Sequence, residues 1–599
     1  MAMLEDGNAG AAQRHHDQQH DEVDAERPAV EHARNHGADG NRRDEEQDGK
    51  GKAADATHDD SHQRRRHGAA DVVAEGESDA SGNDGGDAFH KGHSSNTLST
   101  ARNQSRLCAS GASLRELRSL GTHKKRMSDD PSTWISASEL TTLYARKVLS
   151  PVDVVDAIVE RAAKLQPSLN AFVLIDADGA RAAAKASEAR WLKGQPLSAL
   201  DGVPTTIKDT TPVKGWPTRY GSHATDETAA TENAPIVDRF RAAGLILLGK
   251  TTTPEFGWKA LTDSPLQGTT RNPWNLKHSP GGSSGGASAL TAAGINPFNH
   301  GNDGGGSIRI PAAHTGLVGL KPSYGRIAQY PADAPFADVI SQGVLARSVL
   351  DTALALNVAA GPDPRDWRSL PADPRDYTVG LDDGVRGWRI GLSLDFGHVE
   401  ADPEVRELVA EAARHFEALG AHVEDVGPLI EPLQKSFEPL WIGSFATRLR
   451  QIPSQLHSKL DPGFRAAAEK GLAVTLADYA RSYEAKSKLA RDLALWHRKY
   501  DLLLAPVTPT AAPPVETLYN SDAFPRWTKG APYTLPCNLT GQPAASMPAG
   551  LTKAGLPVGI QLIGPPRADH VVLRAMRAYE SSCGWTWPQQ RVVKTLTAL

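Results

Sequence analysis

The sequence from Gly281 to Pro311 contains two glycine clusters that decide how this chain is interpreted. The first is Gly-Gly-Ser-Ser-Gly-Gly at 281–286, and the second is Gly-Asn-Asp-Gly-Gly-Gly-Ser-Ile-Arg-Ile-Pro at 301–311. Glycine clusters let backbone N–H groups approach a ligand, in dihedral regions that other residues avoid. Ser283 and Ser307 each stand in one cluster, so each hydroxyl is a candidate nucleophile with oxyanion donors beside it.

A serine hydroxyl is a weak nucleophile at neutral pH and needs a base. Three histidines lie near these clusters in sequence, but their spacing does not identify any of them as the base: His278, His300 and His314. His300, seven residues before Ser307, is kept as a candidate beside its alternative role as a polar loop residue.

Lys208, in Gly-Val-Pro-Thr-Thr-Ile-Lys-Asp at 202–209, is the better candidate for the base. A lysine accepts a proton only when it is neutral, and burial in an apolar pocket lowers its pKa far enough. The preceding residues are apolar enough for a buried strand end, where Asp209 would point to the opposite face. A surface lysine is the alternative that spacing alone leaves open.

Residues 1–127 differ in composition from the rest of the 599-residue chain. They are rich in Asp, Glu, His, Arg, Gly and Ala, and Phe89 is their one aromatic residue. Such a stretch buries too little apolar surface to offset its ordering entropy, so it is predicted to be a disordered tail. Its histidines are interpreted as scattered and solvated, with metal binding as the alternative. A translation start at Met127 is given the same weight as a genuine disordered tail. In that case residues before Met127 would be a mis-assigned extension of the sequence.

Charge and cysteine usage narrow the function classes. Residues 1–127 contain 18 Lys and Arg against 23 Asp and Glu, which leaves 48 of each sign in the rest. This balance gives no support for nucleic acid as a partner. The three cysteines lack ligand-like spacing, which argues against a zinc site and favours a reduced, cytoplasmic protein. With no apolar leader and no run of about 18 apolar residues, neither a secretory signal nor a membrane span is predicted.

Helical and strand patterns alternate beyond Met127. Ser150-Pro151 predicts the N-cap and first residue of a helix that ends before Gln166-Pro167. Further helices are predicted at 180–194, 287–293 and 402–419, and short buried strands at 245–248, 388–392, 421–426 and 502–504. This alternation predicts an α/β fold with a largely parallel or mixed sheet.

The motifs taken together resemble the amidase signature family, from about residue 135 to residue 590. One Gly-Gly-Ser-Ser-Gly-Gly is also typical of a flexible linker, whereas the ordered set is specific. The matching segments are Asp201-Gly-Val-Pro-Thr-Thr-Ile-Lys-Asp209, Lys250-Thr-Thr-Thr-Pro-Glu-Phe256, Asn272-Pro-Trp-Asn275, 281–286, 303–311, Asn538-Leu-Thr-Gly-Gln-Pro543 and 555–565. The resemblance implies one large domain at 130–595, with a central mixed β-sheet covered by helices on both faces.

The resemblance also implies a Ser-Ser-Lys triad and no cofactor or metal. Ser307 takes the place of the nucleophile, Lys208 that of the base, and Ser283 that of a bridging serine entered by a cis peptide bond. The implied oxyanion donors are the backbone N–H groups of Gly304, Gly305, Gly306 and Ser307. Asp303 and Arg309 are expected to shape the loop without reacting. Asn302 departs from the family, which usually has threonine there, so any role of that threonine is in doubt here.

The function that follows is hydrolysis of a small-molecule carboxamide to carboxylate and amine or ammonia, through an acyl-enzyme on Ser307. The alternative is the glutaminase component of a tRNA-dependent amidotransferase. That protein usually has glutamine where this chain has Ile310, and aspartate where this chain has Ala531. Both differences argue against the alternative. A nucleotide-binding module would need Gly-Lys-Ser or Gly-Lys-Thr after the glycine run, which Ser-Ile-Arg replaces. A catalytically inactive scaffold would not need all three triad residues.

The substrate and the oligomeric state are not fixed by the sequence. A homodimer is left open. Three aromatic residues are candidates for lining a substrate pocket, with core packing as the alternative: Trp441, Phe445 and Tyr519.

Overall fold

The computed structural model describes residues 134–332, 336–518 and 531–585, together with residues 592 and 594–596. The predicted tail at 1–127 and the candidate pocket residue Tyr519 both lie outside the described residues.

Helices and strands alternate along the described chain. The α-helices are α1 (Ala137–Ala145), α2 (Pro151–Leu169), α3 (Ala177–Leu192), α4 (Pro235–Ala242), α5 (Gly285–Ala292), α6 (Arg309–Thr315), α7 (Val349–Ala359), α8 (Pro403–Ala418), α9 (Gln434–Gln451), α10 (Pro462–Gly471), α11 (Leu476–Trp496), α12 (Leu535–Thr540) and α13 (Asp569–Ser582). The strands are β1 (Phe172–Ile175), β2 (Pro204–Lys208), β3 (Ile246–Thr251), β4 (Asp263–Ser264), β5 (Gly268–Thr269), β6 (Phe298–Asp303), β7 (Val318–Lys321), β8 (Ser341–Ala346), β9 (Arg389–Leu392), β10 (His422–Asp425), β11 (Leu502–Pro506), β12 (Ala544–Leu551) and β13 (Pro557–Ile563).

Helix α2 begins as predicted and ends later than predicted. Ser150 is its N-cap, its side chain accepts from the N–H of Val152, and Pro151 is the first helical residue. The predicted end before Gln166-Pro167 is wrong, because the helix continues to Leu169. Pro167 lies in the last turn, where it has no N–H to donate to the carbonyl of Ala163, and the helix tolerates the loss of this one hydrogen bond. Leu169 is fully buried, so core packing favours completing that turn.

Strands β3, β9, β10 and β11 correspond to the four predicted strands. The main sheet has eight strands in the order β10-β9-β11-β13-β12-β7-β8-β6, and a second sheet has the order β1-β3-β2. In the main sheet β9 pairs in parallel with β10 and β11, whereas the remaining pairs are antiparallel. The predicted mixed sheet is therefore confirmed.

Strand β13 shows how helices cover both faces of the main sheet. Its alternate residues Val558, Ile560 and Leu562 belong to one hydrophobic core with residues of α8 and α13. The intervening residues face α6, since Gln561 Oε1 accepts from Arg309 and a Cβ added to Gly559 would meet Ala313 of α6. Successive residues of a strand point to opposite faces, so α6 covers one face while α8 and α13 cover the other.

Side chains join β2 of the smaller sheet to β6 of the main sheet. The Thr206 hydroxyl donates to Asn299 Oδ1 at 2.7 Å, and the backbone N–H of Lys208 donates to His300 Nδ1 at 3.2 Å. These buried contacts bring the carboxyl end of β2 beside the end of β6, where the second glycine cluster begins.

Candidate active site

Lys208 is the last residue of β2 and is fully buried. Its amine contacts three oxygen atoms, namely Ser283 Oγ at 2.7 Å, Ser284 Oγ at 3.0 Å and Asn302 Oδ1 at 2.7 Å. Burial lowers the pKa of Lys208 to about 7, although the negative charge of Asp303 works in the opposite direction. A large fraction of this lysine is therefore a neutral amine near pH 7, as a base requires.

Asp209 does not compete for this amine. Its carboxylate lies 3.1 Å from Lys250 Nζ, and both side chains are buried. Asp209 lies in the turn after β2, not in the strand itself, and its side chain and that of Lys208 have different partners. Lys250 therefore neutralises Asp209 away from the three oxygen atoms around Lys208.

Ser283 and Ser284 lie at the amino end of α5. The Gly282–Ser283 peptide bond is cis, as the family resemblance implied. The Ser284 hydroxyl donates to the backbone oxygen of Asn302 at 3.2 Å. The backbone N–H of Ser284 donates to the backbone oxygen of Ser307 at 3.2 Å, which ties the first glycine cluster to the second.

Ser307 follows β6 in a loop that a buried ion pair shapes. Asp303 and Arg309 lie 2.8 Å apart, and neither side chain is exposed. Burial alone would raise the pKa of Asp303, but the Arg309 guanidinium holds that pKa well below its usual range. The same carboxylate accepts from the backbone N–H groups of Gly306 and Ile308 at 2.7 and 3.1 Å. These contacts agree with the prediction that Asp303 and Arg309 shape the loop.

Gly306 differs from its predicted place among the oxyanion donors. Its N–H donates to Asp303 Oδ1, so it is directed at a carboxylate instead of the cavity. Gly306 has a φ of 125°, and an added Cβ would lie 2.3 Å from Thr534 Oγ1. Gly304 and Ser307 line the cavity and Gly305 follows Gly304, so the N–H groups of these three residues keep the predicted role as a proposal.

His300 does not act as the base. Its Nδ1 accepts the backbone N–H of Lys208, and its Nε2 lies 2.8 Å from Gln342 Oε1. Burial lowers the pKa of His300 to about 4, so the ring is neutral and Nε2–H donates to Gln342. Both ring nitrogens are thus engaged away from Ser307.

A cavity of about 350 Å³ opens onto these groups. Ser283, Asn302, Gly304 and Ser307 line it, and so do five aromatic residues. The aromatic residues of the wall are Tyr220, Phe256, Tyr330, Trp441 and Phe445. Trp441 and Phe445 are also buried in a hydrophobic cluster with Phe464, so both roles weighed for them from the sequence hold together.

Sequence reasoning missed two residues of this site and left the role of a third open. Asn302 is only a departure from the family pattern in the sequence, whereas the structure makes it an acceptor for Lys208. Gln342, on β8, and Arg448, in the last turn of α9, both line the cavity. Neither stands in a glycine-rich or otherwise recognisable motif, and only the folded chain brings them to Ser307.

Two negative findings concern the described residues. Within them, no group of three or more His, Cys, Asp and Glu side chains is arranged to hold a metal ion. The described helices also include none with the length and apolar character that a membrane span requires.

Known proteins are similar to this chain in sequence and in fold. The sequence model of the amidase family matches residues 153–573. An acylamidase of Rhodococcus erythropolis is 35% identical over 470 residues, which cover 77% of this chain and 98% of that protein. A component of the glutamyl-tRNA(Gln) amidotransferase of Myxococcus xanthus is 35% identical over 480 residues, covering 75% of this chain and 97% of that protein.

Two solved structures also resemble this chain in fold. A bacterial aryl acylamidase of the amidase signature family superimposes with a TM-score of 0.72 at 32% identity, covering 78% of this chain and all of that one. A 6-aminohexanoate cyclic dimer hydrolase superimposes with a TM-score of 0.70 at 28% identity, covering 76% of this chain and 98% of that one.

Proposed function

This chain belongs to the amidase signature family and is an amidase, and we propose that Lys208, Ser283 and Ser307 are its catalytic residues. The observation that carries the proposal is the 2.7 Å contact between the buried amine of Lys208 and the Ser283 hydroxyl. Ser283 and Ser307 line the same cavity, which supports a relay from the amine through the bridging hydroxyl to the nucleophile.

The contacts of Lys208 select the direction of proton transfer. A neutral amine has two N–H donors and one lone pair. Asn302 Oδ1 is a carbonyl oxygen that only accepts, and Ser284 Oγ uses its own hydrogen toward the Asn302 backbone. These two atoms therefore take the two N–H groups. The lone pair is left facing Ser283, whose hydroxyl donates to it.

Catalysis then proceeds in two stages. Ser307 Oγ bonds to the amide carbon while its proton passes to Ser283 Oγ, and the proton of Ser283 passes to Lys208 Nζ. The oxyanion that forms on the carbonyl oxygen receives hydrogen bonds from the N–H groups of Gly304, Gly305 and Ser307. The relay runs backwards to protonate the leaving nitrogen, the C–N bond breaks, and water hydrolyses the acyl-enzyme to a carboxylate.

An amide with an aromatic substituent fits the cavity best. Tyr220, Phe256, Trp441 and Phe445 present ring surfaces beside the reacting groups, where another ring packs favourably. The superimposed aryl acylamidase supports the same substrate class. We therefore propose an aryl amide or aryl acylamide as the substrate.

The glutaminase alternative is disfavoured by one apolar cluster. Ile310 and Ala531, the two positions that depart from the glutaminase pattern, pack together with Ala313 and Val507. An apolar cluster offers no carboxylate to hold the amino group of glutamine. The amidotransferase component matches this chain at a similar identity, so the substrate measurement decides between the two activities.

The test combines a covalent probe with a substrate panel. We expect Ser307→Ala to abolish both amide hydrolysis and labelling by a fluorophosphonate, Lys208→Ala to lose most activity, and Ser283→Ala somewhat less. Ser444→Ala is the matched control, because Ser444 lines the same cavity while its hydroxyl donates to the backbone oxygen of Leu440 within its own helix. Wild-type rates in Ser307→Ala would overturn the triad, and hydrolysis of glutamine in preference to anilides would favour the alternative.

The boundaries, location and assembly of the enzyme complete the proposal. We place the catalytic domain at residues 130–595, in the cytoplasm. The described cysteines, Cys537 and Cys583, are free thiols, which suits a reducing compartment. A homodimer is the oligomeric state we would test first, by sedimentation.

A further inference from the structure

The side chain of Gln342 brings two unused hydrogen-bond donors to the cavity. Gln342 lies on β8, lines the cavity and is 5% exposed. Its Oε1 lies 2.8 Å from His300 Nε2. Among the described residues, by contrast, none forms a hydrogen bond with Gln342 Nε2, and that atom is not closed off from solvent. Since the cavity is where Gln342 meets solvent, the two N–H groups of its amide face the space that a substrate enters.

The orientation of this amide follows from a chain of hydrogen bonds that begins at Lys208. The backbone N–H of Lys208 donates to His300 Nδ1, so the neutral imidazole carries its hydrogen on Nε2. His300 Nε2–H needs an acceptor, and the oxygen is the one atom of the Gln342 amide that accepts. The opposite orientation of the amide, with its nitrogen toward His300, would set two donors against each other. The amide nitrogen is therefore the atom left for the cavity.

The same amide lies beside the proposed base. Gln342 is the direct partner of Asn302 on the neighbouring antiparallel strand β6, so the two side chains stand on the same face of the sheet. Asn302 Oδ1 lies 2.7 Å from the amine of Lys208, and Ser307 follows β6. Because Oε1 is held by His300, two residues before Asn302, the Gln342 nitrogen stays close to the reacting groups. It therefore meets a substrate atom near the amide that is cleaved.

Two free donors in a nearly buried position favour a substrate that brings an acceptor. A bound substrate displaces the water around the Gln342 N–H groups, and a donor left without a partner costs free energy. A hydrocarbon group bound there would leave both N–H groups unpaired, whereas a carbonyl oxygen would accept from them. Because His300 already holds the Gln342 amide, little further side-chain entropy is lost when this hydrogen bond forms.

We propose that Gln342 makes this amidase selective for amides that carry a second carbonyl oxygen close to the scissile bond, to which its Nε2 donates a hydrogen bond. A hydrogen bond between two uncharged groups contributes enough to change kcat/KM by about 3-fold to 10-fold. The inference rests on the proposed function, since it names the substrate class of that same site.

The test uses pairs of anilides in which a methylidene group replaces the ketone oxygen. One pair is acetoacetanilide and its methylidene analogue, which differ on the acyl side. The other is 3-acetamidoacetophenone and its methylidene analogue, which differ on the amine side. Each analogue keeps the planar shape of the ketone and lacks the acceptor. In Gln342→Met, we expect kcat/KM for the ketone of at least one pair to fall about 3-fold to 10-fold more than kcat/KM for its analogue.

Two further variants complete the design. Gln342→Met also deprives His300 of its acceptor, whereas Gln342→Glu keeps an acceptor for His300 Nε2–H and removes the donors. Gln342→Glu should therefore show the same selective loss for the ketone, and it decides the matter if Gln342→Met does not fold. Gln455→Met makes the same substitution at an exposed glutamine and is the matched control, with no expected effect on either substrate. Labelling of Ser307 by a neutral fluorophosphonate shows that each variant is folded and competent.

The outcomes separate this inference from the proposed function. Comparing ketone and analogue across wild type and variant cancels any difference in their intrinsic reactivity. Equal losses for both members of both pairs would overturn the role of Gln342 in substrate selection and leave it as a structural partner of His300, with Ser307 still the nucleophile. Full activity in Ser307→Ala would overturn the proposed function itself.

Discussion

At the scale of single residues, we expect the protonation of Lys208, the proposed base, to govern the rate. The pKa of about 7 follows from burial, and only the neutral amine can accept a proton from Ser283. We therefore expect kcat/KM to rise with pH through about pH 7, with a slope of one proton, and then to level off. His300 does not account for such a limb, because burial holds its pKa at about 4. A profile that stays flat across this range would contradict the assignment of Lys208 as the base.

A second prediction concerns Asn302 and gives the direction in which the pH dependence shifts. Its Oδ1 accepts from Lys208 and therefore favours the protonated amine. Asn302→Leu should lower the pKa of Lys208, moving the limb to lower pH by about one unit. The plateau rate should also fall, because the lone pair is less well directed at Ser283. Asn302→Asp adds a negative charge beside the amine and should move the limb to higher pH. Shifts of the same sign in both variants would rule out this role for Asn302.

At the scale of elements, one buried ion pair joins several of them. Arg309 of α6 donates to Asp303 at the end of β6, to Gln561 of β13, and to the Thr534 oxygen and Asn538 side chain at α12. Removing one member of such a pair leaves a buried charge without a partner, which is far more costly than losing an exposed pair. The loop that presents Ser307 depends on the same contacts.

We expect Arg309→Met to lower the free energy of unfolding by about 3–5 kcal/mol and to abolish activity. Lys488→Met is the control, because Lys488 and Asp492 form an exposed pair whose removal should change the stability little. Urea unfolding followed by tryptophan fluorescence measures both variants. A loss below about 1 kcal/mol in Arg309→Met would show that the pair does not stabilise the fold.

Local pattern predicts much of this element order, and distant contacts account for the rest. Strands such as β3 and β11 are short buried runs, and α8 begins at Asp402-Pro403, so neighbouring residues suffice to predict them. The end of α2 cannot be predicted from Pro167. Burial of Leu169 keeps the last turn helical, and this burial depends on residues distant in sequence. Motifs locate Lys208 and both serines, but the partnership of Asn302 with Lys208 depends on how β2 meets β6 across 94 positions.

At the scale of the whole molecule, the proposed catalytic groups come from two sheets. Lys208 belongs to the smaller sheet, whereas Asn302 lies in β6 of the main sheet and Ser307 follows that strand. The buried contacts between β2 and β6 therefore fix the distance between base and nucleophile. The elements that carry these groups begin at residue 204, far beyond the segment 1–127.

Deleting residues 1–126 should therefore leave kcat/KM and the melting temperature close to those of the full chain. The acylamidase of Rhodococcus erythropolis matches 77% of this chain over 98% of its own length, so that share corresponds to a whole enzyme. Deletion to residue 149 is the informative contrast, because it also removes α1, which buries Leu140 and Tyr144. Two N–H groups at the start of α1, those of Ala137 and Ser138, donate to the buried Asp351 carboxylate at 2.9 and 3.2 Å.

The longer deletion should lower the melting temperature by several degrees, since it exposes core surface and leaves Asp351 without these donors. Differential scanning fluorimetry and anilide hydrolysis, run side by side on the three proteins, measure both effects. If the shorter deletion lost as much stability as the longer one, residues 1–126 would be part of the folded enzyme. The catalytic domain would then begin well before residue 130.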